Sequence, residues 1–185
     1  MASIINMVSK AAADMSVTEN AVCVRFYGIN EGCDFWIDAD EIGDAGGLRV
    51  WLETYTELSI SEVDEILERD YLVIGHEGEL VGQCVEGEVF DWELYNEARE
   101  LVDNYYSEEV VIAAMKLGIT LERLEDSYSG SFDSDEEFAQ EMWENYGYLD
   151  NLPDHMQSYI DWEKVARDLM FEYVEQDGHY FNNNW

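Results

Sequence analysis

The side chains that could perform acid–base or metal chemistry are scattered along the chain. The three histidines are widely spaced: His76, His155 and His179. They form neither an HExxH motif nor a His/Cys cluster of the kind that binds zinc. Asp161 and Asp168 flank Arg167 in the strongest local motif, but a helix cap and a structural ion pair account for that spacing. We therefore predict that the protein is not an enzyme.

Cofactor and metal motifs are also missing from the sequence. Asp38, Asp40, Glu41 and Asp44 resemble a calcium loop only superficially, because D-x-D-x-D-G and the glutamate at loop position twelve are absent. The glycines between residues 78 and 87 are not followed by GKS or GKT, and the glutamates beside them would repel phosphate. We expect no metal and no cofactor.

The cysteines and the N-terminal segment bear on the compartment. Cys23, Cys33 and Cys84 are odd in number and have no CxxC spacing, so we interpret them as reduced, buried residues of a cytoplasmic protein. The first residues lack the apolar core of a signal peptide, and no apolar run approaches the roughly 18 residues of a membrane span.

The charge limits the partners more than any motif does. Forty-three Asp and Glu oppose nine Lys and Arg in 185 residues, which gives a net charge of −34. Direct binding to nucleic acid or to an anionic membrane is therefore excluded, and a basic or nucleic-acid-binding partner is favoured. At one charge per roughly 1.7 Å of duplex, this charge equals that of about 58 Å of DNA. Aromatic residues make up 14% of the chain, which predicts a folded protein rather than an acidic tail.

An acidic helix beginning after Ser134 shows how the charges are placed. Ser134 and Glu137 have the spacing of a capping box, and an apolar stripe that includes Phe138 and Tyr146 should face the core. Glu137, Glu141 and Glu144 form a second, wholly acidic stripe. Like charges at this spacing cost about 0.2–0.5 kcal/mol per pair. No basic residue lies between Arg123 and Lys164 to compensate, which points to a binding role.

The remaining pattern predicts an α+β protein of two or three small consecutive units. We predict strands at 21–27 and 35–38, which pair antiparallel across a turn at 28–32, and a short strand at 71–74. We also predict a glycine-rich hairpin within 77–90, a final hairpin at 171–181, and a loop at 128–133. We predict helices at 48–55, from Ser61, and at 107–118, 120–126, 134–146 and 162–170. A further helix at 92–106 should be capped by Asp91, with these residues inward: Tyr95, Ala98, Leu101, Val102 and Tyr105. Gly46 and Gly47 should close a loop or short helix that precedes the first of these helices. The units are a leader at 1–20 and segments 21–70, 71–127 and 128–185.

The C-terminal third resembles the ArdA antirestriction family. The resemblance rests on YIDWEKVARDL at 159–169, EFA at 137–139, GYL at 147–149, LP at 152–153, and the hairpin with Gly178 and Phe181. Segments 27–37, 70–78 and 94–98 are similar more loosely, so the resemblance spans about residues 21–181.

This resemblance implies an elongated, curved, three-domain mimic of bent B-form DNA, encoded by phages or mobile elements. Such proteins form homodimers, which we expect to involve the C-terminal region. They occupy the DNA groove of type I restriction–modification enzymes without catalysis or cofactors. The carboxylates that we expect to stand for phosphates lie in the acidic segments: Asp38, Asp40, Glu41, Glu62, Glu65, Glu68, Glu86, Glu88, Asp133, Asp135, Glu136, Glu137, Glu141 and Glu144.

Other functions fit the same composition. An acidic surface would also fit the nucleic-acid channel of another defence system, such as a CRISPR effector. An acidic chaperone of a basic protein would bind isolated basic proteins, and a halophile's domain would unfold at low salt. An enzyme would require a bound metal or a substrate-shaped pocket.

Overall fold

The computed structural model describes residues 19–27, 34–42, 45–55 and 58–184. The leader up to residue 18, the predicted turn at 28–32, Cys33 and Asp44 lie outside these ranges. The described residues divide into two compact units, the first ending at Tyr106 and the second beginning at Ser107. The division of the sequence at residues 70 and 127 stays a prediction.

Helices and antiparallel strands both occur, which confirms the α+β class. The strands are β1 Ala21–Phe26, β2 Asp34–Asp38, β3 Tyr71–Glu77, β4 Val85–Glu86, β5 Val89–Phe90, β6 Tyr128–Ser131, β7 Tyr173–Gln176 and β8 His179–Asn182. The helices are α1 Ala39–Ile42, α2 Ala45–Tyr55, α3 Ile60–Leu67, α4 Glu79–Gln83, α5 Trp92–Asn104, α6 Glu108–Lys116, a 3-10 turn Leu121–Arg123, α7 Leu124–Ser127, α8 Asp135–Asn145, α9 Asp154–Gln157 and α10 Trp162–Leu169.

The first unit is built on a three-stranded antiparallel sheet in the order β2-β1-β3. Every residue of the central strand β1 is buried except Arg25, which pairs with Asp34 of β2 across 2.6 Å. A central strand covered on both faces explains why this segment reads as a nearly continuous apolar run. The predicted antiparallel pairing of the first two strands is confirmed.

Helices α2 and α3 begin earlier than predicted. Gly46 and Gly47 lie within the first turn of α2 and do not close the preceding loop. A Cβ on Gly47 would collide with the carbonyl oxygen of Ile42, so only glycine allows this close approach. Helix α3 is capped by Ser59 rather than started by Ser61, because Glu62 completes a capping box with Ser59.

The predicted hairpin within 77–90 is half wrong. Residues 79–83 form α4, whose Leu80 and Val81 are fully buried, while only β4 and β5 form the hairpin. Gly78, at a φ of 93°, allows the chain to turn from β3 directly into α4. The glycine signal was correct for a turn but did not reveal which element followed it.

Helix α5 starts as predicted and ends sooner. The carboxylate of Asp91 accepts a hydrogen bond from the Leu94 N–H across 2.9 Å, which is an N-cap. Tyr95 and Ala98 are buried as predicted, but Tyr105 follows the last helical turn and is 74% exposed. The predicted inward position of Tyr105 is therefore wrong.

The second unit is built on a sheet in the order β6-β8-β7, with α8 packed against it. Phe138, Tyr173 and Tyr180 form its buried core. The predicted loop at 128–133 contains strand β6, which pairs with β8 at the edge of this sheet. Its Ser and Gly residues have low strand propensity, so the pairing depends on the neighbouring hairpin.

The turn of the second unit's final hairpin lies where the sequence predicts it, whereas the end of α8 differs from the prediction. The final hairpin turns at Asp177 and Gly178, which have φ angles of 53° and 81°. Two residues at positive φ are typical of the two-residue hairpin turn that matches strand twist. Tyr146, predicted to face inward, is instead 52% exposed at the end of α8.

Candidate partner-binding surface

The N-terminal cap of α8 holds the acidic segment at 133–137 in place, although the predicted capping box forms only in part, because the Glu137 carboxylate accepts from Asp133 and not from Ser134. The Ser134 hydroxyl accepts from the Glu137 N–H across 3.2 Å, and the Glu137 carboxylate accepts from the Asp133 N–H across 2.9 Å. The helix dipole favours the negative charges of Asp135 and Glu136 in this first turn. Local stability therefore explains part of this acidic cluster.

Farther along α8, the acidic stripe faces solvent as predicted. Glu137, Glu141 and Glu144 are all exposed, while Phe138 and Ala139 are completely buried on the opposite side. Asn145 donates to Glu141 across 3.3 Å, a weak contact that leaves the charge in place. The helix thus separates its packing face from a continuous row of carboxylates.

The predicted carboxylates of α3 and of the β4–β5 hairpin are also at the surface. Glu65 and Glu68 are exposed on α3, whereas Glu62 is half-buried in the capping box. The Ser59 N–H donates to Glu62 across 2.6 Å, and this hydrogen bond lowers the pKa of the Glu62 carboxyl. Glu86 and Glu88 are exposed on either side of the hairpin turn.

The group at the end of β2 is already engaged within the protein. Asp38 accepts from the Asp40 N–H at the start of α1. Asp40 accepts from the hydroxyl of Tyr95 across 2.7 Å and forms an ion pair with Arg99 at 3.3 Å. Glu41 also has an interaction partner. Asp40 thereby ties α1 to α5, and Asp38 stabilises the start of α1. A structural role accounts for these two residues, whereas the carboxylates farther along α8 have no comparable role.

Most of the acids that form ion pairs with basic side chains lie outside the predicted partner-binding set. The ion pairs join Arg25 to Asp34, Arg49 to Glu53 and Asp64, Arg99 to Asp40 and Asp103, Lys116 to Asp177, Lys164 to Asp161, and Arg167 to Asp168. Asp40 alone among these partners belongs to the predicted set. Among the described residues, the predicted acids of α3, the β4–β5 hairpin and α8 therefore keep their charge uncompensated.

The structure shows a further acidic stripe that was not predicted from the sequence. Glu93, Glu97 and Glu100 lie on α5 at the same spacing as the stripe of α8, and all three are exposed. The repeated spacing of three and four residues was the signal that could have identified them. Together with α3, α5 adds a second group of exposed carboxylates to the first unit.

Groups suited to chemistry do not converge anywhere in the described ranges. No cluster of three or more His, Cys, Asp or Glu side chains there could hold a metal ion. Burial raises the pKa of the Cys84 thiol to about 12, and Cys23 is also buried and free. Asp161 caps α10 and Arg167 pairs with Asp168, which confirms the structural interpretation of that motif. In the described part of the chain, no helix has the length and apolar character of a membrane span.

Comparison with known proteins adds one finding. A family model described as antirestriction protein (ArdA) matches residues 33–182. The match covers both acidic stripes and the whole second unit as far as the end of β8. No curated protein matches the chain.

Proposed function

The chain belongs to the ArdA family of antirestriction proteins, and from this premise we propose that it inhibits type I restriction–modification enzymes by occupying their DNA-binding groove as a DNA mimic. The observation that carries the proposal is the placement of charge. The acidic stripes of α5 and α8 face solvent, while the ion pairs formed by the basic side chains use other carboxylates.

Acidic stripes without basic partners lower the stability of the isolated protein. Like charges three or four residues apart destabilise a helix by about 0.2–0.5 kcal/mol per pair. The same carboxylates would lower the free energy of a complex with a channel lined by Lys and Arg, because small counterions are released there. Rows of glutamates on helices are also held in place before binding, which reduces the entropy cost of association.

The proposal assigns no chemical step to the protein. Inhibition is competition: carboxylates occupy the positions of DNA phosphates, and the enzyme's basic residues cannot contact both. We further propose that the inhibitor is an elongated, curved homodimer that acts in the bacterial cytoplasm, where restriction enzymes meet incoming DNA. The three segments at 21–70, 71–127 and 128–185 would present successive parts of the acidic surface.

A displacement assay tests this proposal. The protein is titrated into a type I restriction complex bound to fluorescent duplex DNA, and anisotropy is read at low and at moderate salt. We expect stoichiometric release of DNA and a weakening of that release as salt rises, because the attraction is screened.

Two controls make the result specific. A basic protein that does not bind DNA, present in excess, should not relieve the inhibition; relief would indicate a general chaperone of basic proteins. Absence of DNA release at both salt concentrations would reject the type I target. The same assay with a CRISPR effector would then identify the other class of defence enzyme.

A further inference from the structure

Four aromatic rings form a connected, partly exposed cluster where α8 ends, which we call the aromatic cluster: Tyr146, Tyr148, Trp143 and Trp162. Successive ring centroids lie 5.6, 5.7 and 5.6 Å apart in that order. Tyr146 is 52% and Tyr148 63% exposed, and the two tryptophans are half-buried. Single exposed aromatics are ordinary, but a connected group is typical of an interaction surface.

The backbone at the end of α8 holds this cluster in a defined arrangement. The Tyr148 N–H donates to the Trp143 carbonyl across 3.0 Å, and the Gly147 N–H donates to the Glu144 carbonyl across 2.9 Å. This pair of bonds is a Schellman motif, and Gly147 supplies its left-handed residue with a φ of 70°. The motif folds the Tyr148 ring back against Trp143, so the ring contact follows from the helix end.

A second contact orients the other exposed ring. The hydroxyl groups of Tyr146 and Tyr173 are hydrogen-bonded across 3.0 Å, which anchors Tyr146 to the buried core of the unit. Rings that are already positioned lose little conformational entropy when a ligand contacts them. The cluster is therefore better suited to binding than the same number of independent surface tyrosines.

Exposed carboxylates lie close to the cluster in the sequence and at the helix end. Glu144 and Glu163 are exposed and neighbour its residues in the sequence, and Asp150 lies close enough that a Cβ on Gly147 would meet its Oδ2 at 2.9 Å. The nearest basic residues in the sequence, Lys164 and Arg167, are paired with Asp161 and Asp168. The rings thus lie in a negative environment, where the partner that complements both features is a cation with a flat, apolar face.

Arginine has that combination. A guanidinium group stacks on aromatic faces through cation–π attraction while its N–H groups donate to carboxylates at its edge. Lysine presents a compact, strongly hydrated charge and gains less from the rings. We propose that the aromatic cluster binds arginine side chains of the partner protein, and so adds an arginine-selective contact to the acidic surface. This inference rests on the proposed function, in which the partner is a basic protein surface.

Two fluorescent peptides of equal charge, hexa-arginine and hexa-lysine, test the proposal directly. Their dissociation constants for the full-length protein are compared at low and at moderate salt. We expect the arginine peptide to bind about two- to fivefold more tightly than the lysine peptide, from the strength of exposed cation–π contacts. The ratio should persist at moderate salt even as both affinities fall, because screening weakens only the Coulomb attraction.

Variants distinguish peptide binding by the aromatic cluster from binding by the acidic surface as a whole. Tyr148→Leu should abolish the preference for arginine and leave lysine binding unchanged, whereas Tyr148→Phe keeps a ring and should retain the preference. Tyr105→Leu removes a tyrosine of similar exposure from the other unit and should change neither value. A thermal melt of each variant verifies that it is folded.

Two results would overturn the inference: equal binding of the two peptides by the unsubstituted protein, or a preference that survives in Tyr148→Leu. Sedimentation supplies a third, since conversion of a dimer to a monomer by Tyr148→Leu would show that a second copy covers the cluster. The peptide assay is independent of the displacement assay. If the protein prefers arginine peptides but does not release DNA from type I enzymes, the proposed target is rejected, while the assignment of arginine binding to the aromatic cluster stands.

Discussion

The hydroxyl of Tyr180 donates a hydrogen bond to Oδ1 of Asp135 across 2.8 Å. Tyr180 is 2% exposed in strand β8, and Asp135 lies at the exposed start of α8. A buried ring therefore reaches the surface with its polar end and attaches the acidic helix to the sheet. One carboxylate of the predicted binding set thus also has a structural function.

Replacing Tyr180 by Phe should destabilise the protein by about 1 kcal/mol, because one hydrogen bond to a carboxylate is lost while Asp135 remains hydrated. Urea unfolding monitored by circular dichroism measures this loss. Tyr159→Phe is the matched control, since Tyr159 is 82% exposed, and should change stability by less than about 0.5 kcal/mol. Equal effects of the two variants would contradict the role assigned to the Tyr180 hydroxyl.

Phe138→Ala should be far more damaging. The Phe138 ring is completely buried, stacks on Tyr180 at 4.3 Å and meets Tyr173 edge-on at 4.9 Å. Removing such a ring typically costs about 3–5 kcal/mol through lost burial and a remaining cavity. The exposed Phe171, truncated in the same way, should cost less than about 0.5 kcal/mol in the same urea experiment. A small loss for Phe138→Ala would show that this core is not the main support of the second unit.

Glu62 should make stability depend on pH in the acidic range. Its pKa is lowered by the hydrogen bond from the Ser59 N–H. A lowered folded-state pKa stabilises the fold at pH above the carboxyl's ordinary pKa of about 4.5, and this contribution disappears as pH falls through the folded-state pKa. Glu62→Gln should therefore be less stable than the unsubstituted protein at pH 7, and the difference should vanish once the pH lies below the folded-state pKa of Glu62.

A second substitution verifies the cause of this pH effect. Ser59→Pro removes the donor N–H, and proline tolerates the φ of −73° found at this position. In that background, Glu62→Gln should no longer alter the pH dependence of the unfolding free energy. A persistent effect would mean that Glu62 is stabilised by something other than this cap.

Cys84 should not react in the folded protein. It is buried, and a pKa of about 12 leaves almost no thiolate at pH 8. In a Cys33→Ser variant, native protein should resist iodoacetamide at Cys23 and Cys84, while urea should expose both to rapid alkylation. Mass spectrometry measures the modification, and labelling of either thiol without urea would indicate local opening of the first unit.

Binding energy should be distributed over many carboxylates. Glu141→Gln should weaken DNA displacement by less than about fivefold, the range expected for one exposed ion pair. Reversing Glu93, Glu97, Glu100, Glu141 and Glu144 to Lys should abolish displacement, since these residues belong to the two acidic stripes. Glu137, the remaining member, is left unchanged because its carboxylate takes part in the cap of α8.

Position can be separated from total charge with a matched variant. Reversal of five exposed acids outside the stripes and away from the aromatic cluster changes the net charge by the same amount: Asp70, Glu77, Glu122, Glu125 and Glu172. It should weaken displacement less than reversal of the stripes. A hundredfold loss from Glu141→Gln alone would indicate a discrete site instead of a distributed surface.

Local signals in the sequence predicted most of the elements. Asp91, Ser134 and Asp161 mark helix starts that the structure places at the same residues, because a cap depends on atoms only a few positions apart. The acidic stripe of α8 could also be predicted from local sequence, since helical periodicity determines which residues share a face. The resemblance to ArdA over residues 137–181 is confirmed by the family match.

The tertiary structure decided what depends on distant partners. The Ser and Gly residues at 128–131 form strand β6 only because β8 offers an edge for pairing, and no local pattern contains that information. The orientation of the Tyr146 ring likewise depends on its hydrogen bond to Tyr173, which lies 27 positions away. Which carboxylates remain uncompensated depends on long-range ion pairs such as Arg99–Asp40 and Lys116–Asp177. The sequence alone determined the amount of negative charge and its helical spacing, together with the ion pairs between close neighbours such as Arg167 and Asp168. Folding determined the remaining pairs, and with them which charges stay available, because those opposite charges meet only across the fold.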